Sequence, residues 1–428
     1  MKNKLDILVV GGGGREHAII KTLKKSPRCG KLWAAPGNGG IAADAECIPV
    51  KADDVEGMIK AAKECGCDIV FVAPDNPLME GMVDRMEAEG IRAFGPRQCA
   101  AEIEGSKVFS KNLMKKYGIP TAGYEVFDQP AEALAYIEAQ GTYPAVIKAD
   151  GLALGKGVVI AQNHEEAKQA LSEIMEDKIF GDSGSRVVIE EFLTGPEVSV
   201  LAFTDGKVVC PMVSAQDHKR AFDNDRGPNT GGMGTFSPSR VYTEEIADLC
   251  MKTIFEPTVK AMNAEGRTFK GVLYFGLMLT KNGPKVIEYN SRFGDPETQV
   301  VLPRLKTDFI DIIEAVIDEK LADLTIEWSD SAAVCVVLAS GGYPGKYPTG
   351  FEISGLAEAE AKEDITVYHA GTKLGEDGKI LTSGGRVLGV TAVADDLDSA
   401  RDKAYAAADG IHFEGAFCRR DIGIKKYD

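Results

Sequence analysis

One segment constrains this chain more than any other: residues 285–299, with the sequence KVIEYNSRFGDPETQ. The pattern is typical of a buried strand that ends in a cluster of charged side chains. Because successive residues of a strand alternate faces, Glu288 and Asn290 are expected on the same side. A carboxylate and an amide oxygen suit Mg²⁺, which keeps its other positions for water and phosphate. An arginine paired with carboxylates at a strand end explains the segment equally well, so other segments must decide.

Length and composition exclude several classes of protein. A chain of 428 residues exceeds one ordinary core, so two to four domains are expected. The net charge of -16 opposes binding to a polyanion, so nucleic acid is not an expected partner. The nine cysteines form no Cys-x-x-Cys pair, which favours reduced thiols and an oxygen-ligand metal site. The first residues lack the apolar length of a signal peptide, and no segment suits a membrane span, so we expect a cytoplasmic protein.

The order of apolar segments predicts three units, with breaks near residues 103 and 327. Residues 5–100 alternate short strands with helices, which predicts a parallel sheet wrapped by helices in an N-terminal α/β domain, 1–103. A strand-rich central unit, 104–326, and a small mixed α/β unit, 327–428, follow. The stretch 217–238 has neither helical nor strand periodicity. Loops of this length are usually functional or disordered, and we expect one that covers a site.

A glycine-rich segment, GGGGREH at 11–17, joins the first strand to the first helix. Four consecutive glycines are incompatible with a stable helix interior and therefore predict a loop. At a helix start, such a loop offers backbone N–H groups to a phosphate, and Arg15 adds positive charge. The dinucleotide fingerprint fails, because Glu16 and His17 stand where its third glycine belongs. A phosphate-bearing small molecule is therefore favoured over NAD, and a simple tight turn is the alternative.

Two further segments predict a nucleotide site. A glycine-spaced loop lies between Lys148 and Lys156, which would offset the charge of a triphosphate; two exposed lysines on an ordinary hairpin are the alternative. The apolar pair Phe192 and Leu193 follows an acidic strand end and could pack against a base, leaving Glu197 for ribose hydroxyls. An acidic surface turn explains this second segment nearly as well.

Taken together, these segments resemble a known family. Lys148 with its glycine loop, the segment 190–193 and the Glu288/Asn290 pair are similar to the ATP-grasp superfamily. More narrowly, the chain resembles the glycinamide ribonucleotide synthetases, also called phosphoribosylamine–glycine ligases, over about residues 5–424. The strings that carry this resemblance are GxGREH at 12–17, PGN at 36–38, DHKR at 217–220, GPNTGGMG at 227–234, RFGDPE at 292–297 and CRRDIG at 418–423. Three positions depart from the family pattern: Ala73 replaces a Gly, Asp75 a Glu, and Ser291 a Cys.

The resemblance implies a central ATP-grasp fold with a mobile subdomain at about 121–191. It also implies that ATP, with Mg²⁺ or Mn²⁺, activates glycine as glycyl phosphate, which 5-phosphoribosylamine then attacks. The partners are these small molecules, and the protein is expected to be a monomer or weak homo-oligomer.

The motifs and the resemblance together predict the following sites: Glu288 and Asn290 for the metal; Asp217, Lys219, Arg220 and Arg292 for catalysis; Lys107, Lys148, Gly155, Lys156, Glu190, Glu191, Phe192, Leu193 and Glu197 for ATP; Gly12, Gly13, Gly14, Arg15, Asn38 and Asp75 for the phosphate and amine of the second substrate; Gly232, Met233, Gly234 and Asp295 for glycine and the acyl phosphate.

Other functions stay open at this point. A sibling of the same superfamily would use bicarbonate or formate in place of glycine. A nucleotide-binding module without catalysis is disfavoured by the intact Glu288/Asn290 pair and both loop lysines. An NAD oxidoreductase is disfavoured by the failed fingerprint.

Overall fold

The N-terminal part of the chain is built on the parallel sheet that the sequence predicts. The computed structural model describes residues 3–152, 157–179 and 181–424. The five strands are ordered β3-β2-β1-β4-β5, and every neighbouring pair is parallel. The elements are β1 Leu5–Gly11, α1 Gly14–Lys24, β2 Cys29–Pro36, β3 Glu46–Cys47, α2 Val55–Cys65, β4 Ile69–Val72, α3 Asp75–Met79, α4 Met82–Ala88, β5 Arg92–Phe94 and α5 Gln98–Gly105.

The central part contains two four-stranded antiparallel sheets, which face the candidate site. One has the order β6-β9-β7-β8 and the other β11-β10-β16-β17. The elements are α6 Lys107–Tyr117, β6 Tyr124–Phe127, α7 Pro130–Gln140, β7 Ala145–Ala149, β8 Val158–Ala161, α8 His164–Leu171, β9 Val187–Glu191, β10 Glu197–Thr204, β11 Val209–Pro211, β12 Gln216–Asp217, β13 Arg220–Phe222, β14 Arg226–Asn229, β15 Gly234–Ser237, α9 Glu244–Cys250, α10 Glu256–Ala264, β16 Gly271–Thr280, β17 Gly283–Asn290, α11 Thr298–Val301 and α12 Phe309–Ile317.

The C-terminal sheet recruits strands from the central part. Its order is β12-β15-β18-β22-β19, so residues 216–217 and 234–237 extend a sheet whose other strands lie beyond residue 331. This sheet crosses the predicted boundary near 327, and the three-unit division stays a prediction. The elements are β18 Ala332–Ala339, α13 Leu356–Glu360, β19 Ile365–His369, β20 Thr372–Leu374, β21 Ile380–Thr382, β22 Arg386–Ala394 and α14 Leu397–Ala408.

Two sequence-based expectations about secondary structure are wrong. The stretch 217–238 was expected to be a loop, yet it contains β13, β14 and β15, and β12 overlaps its start. These strands have only two to four residues, too few for an alternating pattern to emerge, and pairing with β18 stabilises β15. Helices α7 and α8 were missed in a region that was interpreted as strand-rich. None of the helices in the described residues has the length and hydropathy needed to cross a membrane.

A bulge in β17 sets the direction of Glu288 and Asn290, the predicted metal ligands. In the pairing of β16 with β17, Gly276 lies opposite Glu288 and Leu277 opposite Val286, which leaves Ile287 as an extra residue. Val286 and Tyr289 therefore both pack into the same apolar core, although three positions separate them. Glu288 and Asn290 face away from that core. Bulges of this kind re-aim side chains next to active sites.

An aromatic cluster joins the N-terminal sheet to the central sheet. Phe71 of β4, Phe203 of β10, Phe309 of α12 and Phe293 are each at most 2% exposed. Phe309 lies 6.0 Å from Phe71 and Phe293, and 6.3 Å from Phe203, between ring centroids. Since Phe293 directly follows Arg292, this packing also fixes the end of the candidate site segment.

We expect Phe309→Ala to lower the free energy of unfolding by about 3–5 kcal/mol, because it removes a buried ring and leaves a cavity. The matched control is Leu374→Ala, which truncates a side chain that is 56% exposed and should change the free energy by less than about 0.5 kcal/mol. Calorimetric unfolding of both variants checks this expectation. Equal transition temperatures for the two variants would contradict it.

Candidate active site

Lys219 lies between two carboxylates at the centre of the site. Its Nζ is 3.1 Å from Glu288 Oε1 and 3.5 Å from a carboxylate oxygen of Glu197. Burial lowers the pKa of Lys219, but Glu288 and Glu197 outweigh it and hold the pKa well above its usual range. The Lys219 ammonium in turn lowers the pKa of Glu288 to about 2. Both groups are therefore ionised at neutral pH.

The Glu288/Asn290 pair fits a metal only as part of a larger coordination shell. The Glu288 side chain is 41% exposed and ionised, as a hard-cation ligand must be. Asn290 Oδ1 accepts a hydrogen bond of 2.7 Å from Arg292 Nη2. No cluster of three His, Cys, Asp or Glu side chains arranged for a metal occurs in the part of the chain that the structure describes. Two oxygens completed by water and phosphate match the way proteins usually hold Mg²⁺.

Arg292 connects three acidic or amide groups on different elements. Its Nη2 lies 2.9 Å from Glu104 Oε1 of α5 and 3.7 Å from Asp75 Oδ2 of α3. Glu104 also accepts hydrogen bonds from the backbone and hydroxyl of Ser291, at 2.7 and 2.9 Å. Burial raises the pKa of Glu104, and Arg292 opposes this shift. Despite the burial of Asp75, Arg292 and Arg15 lower its pKa overall.

Asp217 and Glu297 form an acidic pair beside Lys219. Burial and then the Glu297 carboxylate raise the pKa of Asp217 well above its usual range. Glu297 is 3% exposed, and its Oε1 accepts hydrogen bonds from Ser199 Oγ at 3.1 Å and Tyr274 Oη at 3.2 Å. The negative charge of Glu297 beside Asp217 makes this part of the site attractive to a cation.

Three lysines converge on the sheet that faces β17. Lys148 Nζ lies 3.0 Å from Glu190 Oε1 and donates to the Ile287 carbonyl at 3.0 Å. Lys111, on α6, lies 3.0 Å from Glu190 Oε2. Lys107 donates to the Gly151 carbonyl at 2.7 Å, and burial together with the charge of Lys148 lowers its pKa. Glu190 therefore holds two lysines through its side chain.

The segment that links the two central sheets carries the other predicted nucleotide residues. Glu191 Oε1 accepts from Lys285 at 2.6 Å and from the Gly123 backbone at 3.1 Å. Phe192 is 41% exposed, and Leu193 follows it. A cleft of about 840 Å³ borders this segment on the α7 side. The predicted ATP residues Gly155 and Lys156 lie outside the described residues.

The glycine loop at the start of α1 is already engaged by carboxylates. The Gly13 N–H donates to Glu16 Oε2 at 2.6 Å, and the Arg15 N–H donates to Asp295 Oδ2 at 3.4 Å. The Arg15 side chain pairs with Glu16 Oε1 at 2.7 Å. Gly12 must be glycine, because a Cβ there would collide with the Gly37 carbonyl, whereas Gly14 begins the helix. The predicted role of these N–H groups toward a phosphate stays a prediction.

The Asn38 side chain connects the glycine loop before α1 to the end of β19. Its Nδ2 donates to the carbonyls of Gly12 at 2.9 Å and His369 at 2.8 Å, and its Oδ1 accepts from Gly40 and Ile41. These bonds use both ends of the amide for holding the first loops against the C-terminal part. The geometry therefore favours a supporting role over the direct substrate contact expected from the sequence.

The glycine-rich segment 231–234 reaches the acidic pair. A Cβ at Gly232 would lie 3.3 Å from Asp217 Oδ2 and would collide with Pro296. Met233 is fully buried, and Gly234 begins β15. Arg386 of β22 donates to the carbonyls of Gly231 at 2.7 Å and Asp295 at 2.8 Å.

Two of the other predicted residues have further partners nearby. Although burial opposes it, Arg386 and Arg15 lower the pKa of Asp295. The Arg220 side chain donates to the Gly227 carbonyl within its own hairpin.

The sequence reasoning missed four residues that shape the site. Glu297 lies inside the recognised RFGDPE string, so the motif itself carried the signal. The other three sit within ordinary helix or strand patterns, and only the tertiary contacts reveal them: Glu104, Lys111 and Arg386.

Family models match nearly the whole chain. The N domain of phosphoribosylglycinamide synthetase matches residues 5–104, its ATP-grasp (A) domain residues 105–298, and its C domain residues 333–425. These matches confirm the resemblance and the ATP-grasp fold expected from the sequence.

Full-length relatives agree with the family models. The phosphoribosylamine–glycine ligase of Caldanaerobacter subterraneus subsp. tengcongensis is 50% identical, covering 98% of this chain and 99% of the relative. That of Halalkalibacterium halodurans is 49% identical, covering 98% and 97%.

The similarity extends to solved structures. The crystal structure of phosphoribosylamine–glycine ligase from Thermotoga maritima has a TM-score of 0.84 at 36% identity, covering 97% of this chain and all of that one. The biotin carboxylase domain of Hydrogenobacter thermophilus 2-oxoglutarate carboxylase shares the fold, with a TM-score of 0.74 at 18% identity over 97% and 92%.

We expect Lys111 to make stability depend on pH. Burial lowers the pKa of Lys111 to about 8, although Glu190 opposes the shift. Between pH 8 and about 10.4, the unfolded chain binds a proton here that the folded chain releases, so this group makes stability rise with pH. The unfolding free energy of wild type minus that of Lys111→Met should therefore become more positive as the pH rises through this window. The control is Lys115→Met, which removes an exposed lysine of the same helix and so matches the change in net charge. The same pH dependence in both variants would contradict a shift specific to Lys111.

Proposed function

Because the chain belongs to the phosphoribosylglycinamide synthetase family, we propose that it joins glycine to 5-phosphoribosylamine with ATP, giving glycinamide ribonucleotide, ADP and phosphate. The observation that carries this function is the match of all three family domains together with 50% identity to a full-length relative. The protein is thus an ATP-dependent ligase of purine biosynthesis.

The reaction needs ATP because a carboxylate is a poor electrophile. A glycine carboxylate oxygen attacks the γ-phosphorus, the bond to the β-phosphate oxygen breaks, and ADP leaves. The amine of phosphoribosylamine then attacks the carbonyl carbon of glycyl phosphate, the C–N bond forms, and phosphate leaves as the amine loses a proton. Phosphoryl transfer requires little covalent help from the protein, so positioning and charge stabilisation are its main tasks.

The triphosphate would lie between β7 and β17. Lys148 and Lys107 supply positive charge on one side, and Glu190 keeps Lys148 directed toward the Ile287 carbonyl of β17. Glu288 and Asn290 would hold Mg²⁺ or Mn²⁺, which neutralises phosphate charge. The hinge residues Glu191, Phe192 and Leu193 would contact the base, and Glu197 the ribose.

Glycine would bind between Arg292 and the acidic pair Asp217 and Glu297. The Arg292 guanidinium suits the glycine carboxylate, since arginine matches the planar geometry of that group. The acidic pair suits the glycine ammonium, because the raised pKa of Asp217 marks a place where a cation is favourable. Lys219 lies beside this pair and would offset the charge of the acyl phosphate, and Gly232, Met233 and Gly234 would line its enclosure.

Phosphoribosylamine would enter from the N-terminal loops. Arg15 and the glycines at 12–14 would contact its phosphate, and Asp75 its amine. A phosphate there would compete with Glu16 for the Gly13 N–H and for the Arg15 side chain. We further propose a monomer or weak homo-oligomer that works in the cytoplasm.

Omission of single substrates tests the proposed activity. Coupled detection of ADP should show turnover only when ATP, glycine and phosphoribosylamine are all present, with phosphoribosylamine formed in place from ribose 5-phosphate and ammonia. Mass spectrometry should then detect glycinamide ribonucleotide. Sustained turnover with bicarbonate or formate in place of glycine would assign the chain to another reaction of the superfamily.

The metal assignment is tested by Glu288→Gln, which keeps the shape of the side chain and removes its charge. We expect kcat to fall about 10²–10³-fold, comparable to removing one preorganised electrostatic group. The control, Glu256→Gln, changes an exposed residue that pairs with Lys260 on the surface of α10. Unchanged kcat and unchanged dependence on magnesium concentration in Glu288→Gln would remove this residue from the metal site.

A further inference from the structure

A fully buried arginine near the C-terminus contacts the hairpin formed by β13 and β14, residues 220–229. The side chain of Arg419 has an exposed fraction of 0%. Its Nε and Nη2 donate to the two oxygens of Asp421 at 2.8 and 2.7 Å. Its Nη1 donates to the Arg220 carbonyl and to Asp225 Oδ1, each at 3.0 Å. One guanidinium thus links the C-terminal segment to the first strand of the hairpin, at Arg220, and to its turn, at Asp225.

Neighbouring backbone contacts fix the same hairpin. The Asn224 N–H donates to Asp421 Oδ2 at 2.9 Å, and the Arg420 N–H donates to Asp223 Oδ1 at 2.7 Å. Ile422 is fully buried and occupies the space where a Cβ on Gly234 would lie. The segment 419–422 therefore contacts both the tip of the hairpin and Gly234, the first residue of β15.

The contact with the Arg220 carbonyl matters because Lys219 precedes it. The Lys219 carbonyl accepts hydrogen bonds from the backbone and hydroxyl of Thr230, both at 2.8 Å. The position of the hairpin therefore influences where Lys219 Nζ lies relative to Glu288 Oε1, which is 3.1 Å away. Since Arg419 holds a backbone atom, it controls the position of the strand independently of the Arg220 side chain.

Stability alone is a weak reason for such a group. Taking a guanidinium out of water costs free energy that its ion pairs only partly offset, and apolar side chains of similar volume often stabilise as well or better. The buried arginine adds a fixed geometry instead, because its planar guanidinium donates to four acceptor oxygens on three residues.

We propose that Arg419 is a positioning residue, which fixes the hairpin 220–229 so that Lys219 reaches Glu288. The expected change in kcat rests on the proposed ligase function. The expected change in the position of the hairpin rests only on the contacts of Arg419.

The test compares Arg419→Met and Arg419→Lys with Arg420→Ala. Arg420 is the neighbouring residue, but its side chain pairs with Asp409 on the surface and is 56% exposed. We expect Arg419→Met to lower kcat at least 10-fold and to raise the KM for ATP by a smaller factor, because Lys219 contacts Glu288 and Glu197 whereas the lysines that would hold ATP lie on α6 and β7. Arg419→Lys should recover part of the kcat, and Arg420→Ala should match wild type. A role limited to stability would lower the melting temperature without this separation of kcat from KM.

Hydrogen–deuterium exchange supplies a readout that does not depend on turnover. Amides of residues 218–233 should exchange at least 10-fold faster in Arg419→Met than in wild type or Arg420→Ala. If Arg419→Met does not fold, the double variant Arg419→Met/Asp421→Asn removes the uncompensated carboxylate and is measured instead. Exchange within twofold of wild type overturns the positioning role. An inactive wild type would instead overturn the ligase function, while the exchange still decides on Arg419.

Discussion

The ion pair between Lys219 and Glu288 is the interaction on which the candidate site depends. It joins a short hairpin to the strand that carries the metal-ligand pair, and it keeps a carboxylate ionised among other acids. The proposed ligands, a triphosphate, a divalent cation and an ammonium group, carry both signs of charge. Lysine and glutamate in contact supply both signs of charge in a small volume.

That ion pair exists because of a local irregularity in β17. In a regular strand, Val286, Glu288 and Asn290 would share one face, and either the valine would be exposed or the ligands would be buried in the core. The extra residue Ile287 resolves the conflict, because Val286 and Tyr289 pack inward while Glu288 and Asn290 face away from that core. Alternation along a strand therefore predicts that Glu288 and Asn290 share a face, but it does not predict which way they point relative to Val286; their role as metal ligands stays a prediction.

The sequence could predict what local patterns and strings encode. The parallel N-terminal sheet followed from alternating apolar segments, and the ATP-grasp family followed from strings such as RFGDPE. It could not predict contacts between distant segments, such as Glu104 with Arg292 or Lys111 with Glu190. It also failed for residues 217–238, where each strand is too short for its own periodicity: β13 and β14 pair with each other, and β15 forms through pairing with β18.

Residues 327–428 contain no predicted site residue, yet the C-terminal sheet positions two segments of the candidate site. Strand β15 pairs with β18, so the segment that starts at Gly234 is fixed by the C-terminal core rather than by the central sheets. Arg386 then holds the carbonyls of Gly231 and Asp295, which belong to the glycine-rich segment and to the RFGDPE string. A loop that must stay near bound substrates gains its position from this third sheet. The geometry of the acidic pair therefore depends on the packing of residues that lie beyond position 331.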